Sequence, residues 1–346
     1  MGKRALQSSL ISKPARLAAI LLLLAATAFS QVVIRKNPFV YKSAENYPTG
    51  VFDNYTVRDV AHNRQIPILV RYPIGPAGPL PMILWSHGGG ADVNGKNGSV
   101  DWGLTLAQAG YIVIHMSHVP RTQAERLSLC TEFGVPDLQT CGGYFGALEV
   151  DRPRDANAVL ADLDGIENSI PGGAGRIDRT RIGVAGHSFG SYTAMTVAGG
   201  RVELTPVFND VSFANPLPKV FMALSPQGPG RFGWKDDSWR EVFRPVLTAT
   251  GLGDTTQGED APSRLVPFEM MPPIDKFRLF INHADSSHNT FNLNNPQRPD
   301  FEQWVASFGL AFLDANLKND QAARIFLTNS RLSLYGSRSV VQISRK

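Results

Sequence analysis

A serine stands inside Gly186-His187-Ser188-Phe189-Gly190, and its flanks decide whether it can act as a nucleophile. Before it runs Arg181-Ile182-Gly183-Val184-Ala185, which has the length and bounds of a buried strand. After it runs Ser191-Tyr192-Thr193-Ala194-Met195-Thr196-Val197-Ala198, small and apolar enough for a packed helix, stopped by Gly199-Gly200. A serine on a sharp strand-to-helix turn is held in a strained backbone with its Oγ above the sheet edge. Gly186 and Gly190 leave room there for strand and helix to meet. The hydroxyl is a weak nucleophile until a base takes its proton. The chemistry therefore requires a histidine, an acid to orient it, and donors for an oxyanion.

Two histidines follow Ser188: His283 and His288, both after the apolar run 277–281. His288 is the expected base, because it lies on a loop able to swing over the serine; His283, almost at the strand end, is its rival. Asp254 is the expected acid, accepting the histidine Nδ1–H and stabilising the imidazolium. It leads Asp260, Asp275 and Asp285 because it alone ends an apolar strand, 245–250; the others read as solvated loop carboxylates. Upstream, the strand 82–86 delivers the chain into His87-Gly88-Gly89-Gly90. Glycines let backbone N–H groups converge on one point. The N–H groups of Gly89 and Phe189 are the expected oxyanion donors, with Gly90 as the register alternative to Gly89.

The elements that must position these residues follow from periodicity. Strands are expected over 55–60 and 66–72, joined by a turn at His62-Asn63-Arg64, and then over 82–86, 111–116, 181–185, 220–224, 245–250 and 277–281. Helices are expected over 102–109, 152–166, 191–198 and 301–317. Residues 119–150 read as a long connection, 201–218 as a polar irregular stretch, and 229–244, with Trp234 and Trp239, as a surface excursion near the site. His115 and His118 lie three apart at a strand end. Without a carboxylate or third histidine beside them they read as structural or pocket-lining, and no metal site is expected. Strands alternating with helices imply a largely parallel sheet covered on both faces, with ligands bound at the carboxyl ends of the strands.

The whole chain has 346 residues, 43% of them hydrophobic, enough for a sizeable core. Lys3, Arg4, Lys13 and Arg16 precede an apolar stretch, 17–29, that ends in small residues. Residues 1–30 therefore read as a cleaved signal peptide, the apolar stretch being short for a bilayer span of ~20 residues. These four basic residues account for the formal charge of +4, so the remainder is neutral and offers no footing for nucleic acid. The protein is expected to be secreted or periplasmic, without stable membrane anchoring after cleavage. Cys130 and Cys141, the two cysteines, read in an exported chain as a disulfide stapling one loop. Residues 31–54 read as an N-terminal extension, 55–317 as the domain and 318–346 as a C-terminal tail.

The strand leading to Gly186-His187-Ser188-Phe189-Gly190, the His87-Gly88-Gly89-Gly90 loop, Ser225-Pro226-Gln227-Gly228-Pro229-Gly230 and Thr250-Gly251-Leu252-Gly253-Asp254 together resemble the α/β-hydrolase superfamily. Within it the chain is similar to dienelactone-hydrolase-like esterases and to bacterial relatives of platelet-activating-factor acetylhydrolases, over roughly residues 51–316. The resemblance implies an α/β-hydrolase fold, with a mostly parallel central sheet and helices on both faces. It also implies a serine esterase with a Ser188–Asp254–His288 triad, no cofactor, and a small-molecule ester as substrate. Ser188 stands where dienelactone hydrolases proper carry cysteine, and Ser191 where the acetylhydrolases often carry a further glycine, so the substrate stays open. A small-peptide peptidase of the same fold and a non-catalytic exported binding protein are the alternatives.

Overall fold

The computed structural model describes residues 40–256, 258–329 and 340–346. The signal peptide expected over 1–30, and residues 31–39 of the extension, lie outside them. In chain order the elements begin with strands β1 (Thr49–Asp59), β2 (Arg64–Pro73) and β3 (Leu80–Ser86), helix α1 (Val100–Gln108) and strand β4 (Ile112–Met116). Helices α2 (Gln123–Glu132), α3 (Leu138–Tyr144), α4 (Ala147–Ala161) and α5 (Leu163–Ser169) lead to β5 (Ile177–His187) and α6 (Phe189–Ala198). A short hairpin, β6 (Arg201–Val202) and β7 (Val211–Ser212), precedes β8 (Val220–Leu224) and β9 (Val246–Gly251). The chain closes with α7 (Ala261–Met270), β10 (Lys276–Ile281), α8 (Pro299–Leu317), α9 (Gln321–Thr328) and β11 (Val341–Arg345).

Among the described residues, nine strands form one sheet in the order β1-β2-β4-β3-β5-β8-β9-β10-β11. From β4 to β10 every neighbouring pair is parallel, whereas β1, β2 and β11 run antiparallel at the two margins. The central strands read as continuous apolar runs because both faces are buried. Met82 and Leu84 of β3 point into one core with Val150 and Val159 of α4 and Met195 of α6. Ile83 and Trp85, one residue out of phase, point into the other, with Trp102 of α1 and Phe301 and Phe308 of α8. The architecture is thus α/β, a large and mostly parallel sheet between two helical layers. Among the described residues, no helix is long and apolar enough to cross a membrane.

Several segments differ from the sequence expectation. The connection 119–150 is largely helical, holding α2, α3 and the start of α4. Cys130 and Cys141 are disulfide-bonded, with Cα atoms 5.8 Å apart, and join α2 to α3. The helix expected over 152–166 is two helices, α4 and α5; α4 starts earlier, at Ala147, and runs through Pro153. A proline there cannot donate to the Glu149 carbonyl; Tyr192 Oη donates to it instead, at 2.8 Å. Trp234 and Trp239 are buried rather than superficial, with ring centroids 5.0 Å apart and Trp234 5.1 Å from Tyr192 beneath α6. α7 has no counterpart among the expected helices. Within 318–346, α9 packs into the second core and β11 extends the sheet by pairing with β10.

Candidate active site

β5 ends at His187 and α6 begins at Phe189, leaving Ser188 alone on the turn at φ 54° and ψ −124°. A side chain held at positive φ costs of order 1–3 kcal/mol and persists only where its surroundings enforce it. Here the Ser188 N–H donates to the Leu224 carbonyl at 2.9 Å, and the Ser188 carbonyl accepts the Ser191 N–H and hydroxyl at 2.8 and 2.7 Å. A Cβ on Gly186 would collide with the Gly190 backbone, and one on Gly190 with the Ser86 carbonyl. The two glycines are therefore what allows strand, turn and helix to close this tightly.

Asp254 lies just past β9 and is fully buried. Its Oδ1 is 2.7 Å from His288 Nδ1, and its Oδ2 accepts the Thr250 hydroxyl at 2.8 Å. The buried Arg264 donates from Nε to the Asp254 carbonyl at 2.9 Å and lies 3.3 Å from Oδ1. Burial pushes the Asp254 carboxyl up, but the hydrogen bond from His288 and the Arg264 charge outweigh it and leave the group below its ordinary range. An ionised carboxylate on Nδ1 makes that nitrogen the donor and leaves His288 Nε2 as the basic one.

The rival residues are engaged elsewhere. Asp260 caps α7 by accepting the Ser263 N–H, Asp285 pairs with Arg298 at 3.1 Å, and Asp275 sits in a turn at φ 49°. His283, 39% exposed, faces Asp285 and the Phe301 ring. His288 instead packs at a tilt against His187, with centroids 4.5 Å apart, and its carbonyl accepts His187 Nε2–H at 2.9 Å. Burial pushes His187 down to about 3, so this neighbour stays neutral and adds no charge beside an imidazolium. Ser188, His187, His288 and Gly89 line one cavity of about 420 Å³. No hydrogen bond joins Ser188 Oγ to His288 Nε2; such links are often open in an unliganded site.

The 87–90 loop is held from beneath. Arg152 of α4, fully buried, donates to the carbonyls of His87 at 2.7 Å, Gly89 at 2.6 Å and Gly90 at 3.1 Å. His87 Nδ1 donates to the Gly88 carbonyl at 2.7 Å. Every peptide plane from His87 to Ala91 thus has its oxygen tied to a side chain. In a trans peptide the next N–H points the opposite way, so Gly88, Gly90 and Ala91 turn their N–H groups from the Arg152 side and Gly89 turns its own from the His87 ring. Neither the Gly89 nor the Phe189 N–H is taken by a backbone carbonyl. The Phe189 ring is itself clamped, stacked on Phe232 at 4.0 Å with the Arg152 guanidinium 4.5 Å away.

Arg152 and Arg264 have no place in the site that the sequence marks out, and His87 appears there only as the head of the glycine loop. Asp151 and Asp155, one turn apart around Arg152, are the signal that could have marked α4. Arg64 reaches both carboxylates, Asp155 also holds His118 Nδ1 at 2.9 Å, and His118 Nε2 lies 2.9 Å from Ser86 Oγ. His118 is therefore structural, and His115 lies buried beside the Trp85 ring. Among the described residues no group of three or more His, Cys, Asp or Glu is arranged to hold a metal ion.

Comparison with protein-family models and with curated proteins yields no match to this chain.

Proposed function

We propose that this chain is an exported serine hydrolase of the α/β-hydrolase fold that cleaves carboxylic esters through an acyl-enzyme. One observation carries the reading: Ser188 on its strained turn and His288, whose Nδ1 is 2.7 Å from the Asp254 carboxylate, line a single cavity. In this reading Ser188 Oγ attacks the ester carbonyl while His288 Nε2 takes its proton. The oxyanion is held by the N–H groups of Gly89 and Phe189, the second at the N-terminus of α6 where the helix dipole adds to it. His288 then protonates the leaving alkoxide, the alcohol departs, and water attacks the acyl-serine by the same route in reverse. Asp254 stays ionised throughout and fixes the His288 tautomer. The basic and apolar pattern of residues 1–30, read as a signal peptide, supports export.

Labelling with a fluorophosphonate probe tests this, since only an activated serine reacts. The expected adduct is one per chain, on Ser188, and absent from Ser188→Ala. That variant should retain its fold and lose on the order of 10⁶ in turnover. A variant keeping a tenth of the activity refutes the assignment.

A further inference from the structure

The cavity at Ser188 has an unusual lining for a ligand site. Every residue bordering it is Gly, His, Ser, Asn or Asp; no aliphatic or aromatic hydrocarbon side chain takes part. Small-molecule pockets are ordinarily walled by apolar groups with a few polar ones placed among them. The polar groups here are also available. The side-chain amides of Asn94 and Asn289 are exposed and have no hydrogen-bond partner among the described residues. Among the described residues, the Asp92 carboxylate engages only the Asn94 N–H through Oδ1, at 2.8 Å. Ser99 and Asn292 form a bonded pair at 2.6 Å on the same wall.

The direction of proton transfer says which half of the substrate meets this wall. His288 delivers its proton to the leaving oxygen, so the alcohol half lies against His288 and the turn His288–Asn292 that carries Asn289 and Asn292. We propose that this alcohol half is a neutral, hydroxyl-rich group, a sugar or an open-chain polyol, whose hydroxyls bond Asn94, Asn289 and Asp92. The inference rests on the ester-hydrolase reading. A hydrocarbon alcohol in the same place would strip water from amides and a carboxylate and return no hydrogen bonds. An anionic group would meet Asp92 and find no lysine or arginine on the cavity wall.

Two matched pairs of acetates test it on the full chain: 6-O-acetylglucose against cyclohexylmethyl acetate, and 1-O-acetylglycerol against 2-methylbutyl acetate. The members of each pair share a shape and differ in hydroxyls. The hydroxylated ester should win in kcat/KM by about tenfold, because a site built to bond hydroxyls discriminates against analogues lacking them. The pair that shows the preference distinguishes a ring sugar from an open polyol. Asn94→Leu and Asn289→Leu, both at exposed positions, should each lower that preference at least about threefold. Ratios under about fivefold in both pairs, or a preference untouched in both variants, overturn the inference. Fluorophosphonate labelling separates the two failures. A labelled Ser188 without the preference removes the polyol reading alone, whereas an unlabelled protein removes the hydrolase reading beneath it.

Discussion

Arg152 holds the two segments that carry the proposed oxyanion donors in one grip: its guanidinium bonds the carbonyls of His87, Gly89 and Gly90 and lies 4.5 Å from the centroid of the Phe189 ring. Burial pushes Arg152 down to about 9, which leaves it cationic at neutral pH. Arg152→Lys keeps the charge but cannot reach three carbonyls with one ammonium. Losing one oxyanion donor outright costs about 10²–10³ in kcat. A loosened loop should therefore cost about tenfold or more in kcat, with KM for p-nitrophenyl acetate changed less than threefold. Circular dichroism checks that the variant is folded. A folded variant with unaltered kcat rules out this positioning role.

The choice of base is tested by a pair of substitutions. His288→Ala should approach Ser188→Ala in severity, and Asp254→Asn should fall less far, since it disturbs the tautomer while leaving the ring in place. His283→Ala should stay within about twofold of the parent, because His283 faces Asp285 and Arg298 on the surface. If His283→Ala is the inactive protein, the geometry around Asp254 has been misread.

Local pattern and long-range contact explain what the sequence disclosed. The strand, turn and helix around Ser188 are contiguous, so apolar periodicity and two glycines reveal them. Asp254 and His288 are legible because each follows an apolar strand, and strand ends gather on one edge of a parallel sheet. Arg152 is different: its partners lie more than sixty residues upstream, and nothing in a helical pattern separates a clamp from a surface arginine. The strand β11 was hidden for the same reason, since its pairing of Arg345 with Phe277 is not local. Trp234 and Trp239 read as superficial because Lys235, Asp236 and Asp237 lie between them. Burial of the two indoles under α6 is a tertiary fact.

Folding stability should fall between pH 7 and pH 5. Burial is the main cause holding four histidines below their ordinary range: His87 at about 4, His115 and His187 at about 3, and His118 well below. The unfolded imidazole titrates near ~6.5. Between those values the unfolded chain binds more protons, so the stabilisation is complete above ~6.5 and is lost as pH falls toward the folded values. Each histidine contributes up to ~1.4 kcal/mol per pH unit in that window. Glu149, pushed up to about 7 by burial, acts in the opposite sense, joined by Asp151, Asp155 and Glu259, which burial raises less. The urea midpoint should therefore drop from pH 7 to pH 5. Neither ring nitrogen of His115 has a hydrogen bond, so His115→Leu should flatten the slope by up to one proton. A midpoint that holds or rises on acidification contradicts this account.

The Cys130–Cys141 bridge should matter to stability and not to turnover. It closes a loop of sequence separation 11 between α2 and α3, which corresponds to roughly 2–3 kcal/mol of stabilisation. Neither cysteine borders the Ser188 cavity. The double variant Cys130→Ser/Cys141→Ser should unfold at lower urea by that amount while keeping kcat within about twofold. Two alkylatable thiols in the exported, unreduced protein would show that the bridge does not form.

Short acyl groups should be preferred over long ones. Burying a methylene is worth ~0.8 kcal/mol only where apolar surface receives it. The cavity at Ser188 offers no aliphatic or aromatic hydrocarbon side chain, being lined by Gly, His, Ser, Asn and Asp. A neighbouring cavity of about 290 Å³ is walled by Val119, Pro120, Ala147, Leu148 and the Phe189 ring, but Arg121, Arg126, Glu149 and Asp151 interrupt that apolar wall. Neither offers the continuous apolar channel that a sixteen-carbon chain would need to leave water. A series of p-nitrophenyl acetate, butyrate and palmitate at one fixed detergent concentration decides the matter. Acetate and butyrate should exceed palmitate in kcat/KM. A palmitate advantage of tenfold, ~1.4 kcal/mol of added transition-state binding, would mean that an acyl tunnel opens beside Ser188 and that these polar walls do not govern selection.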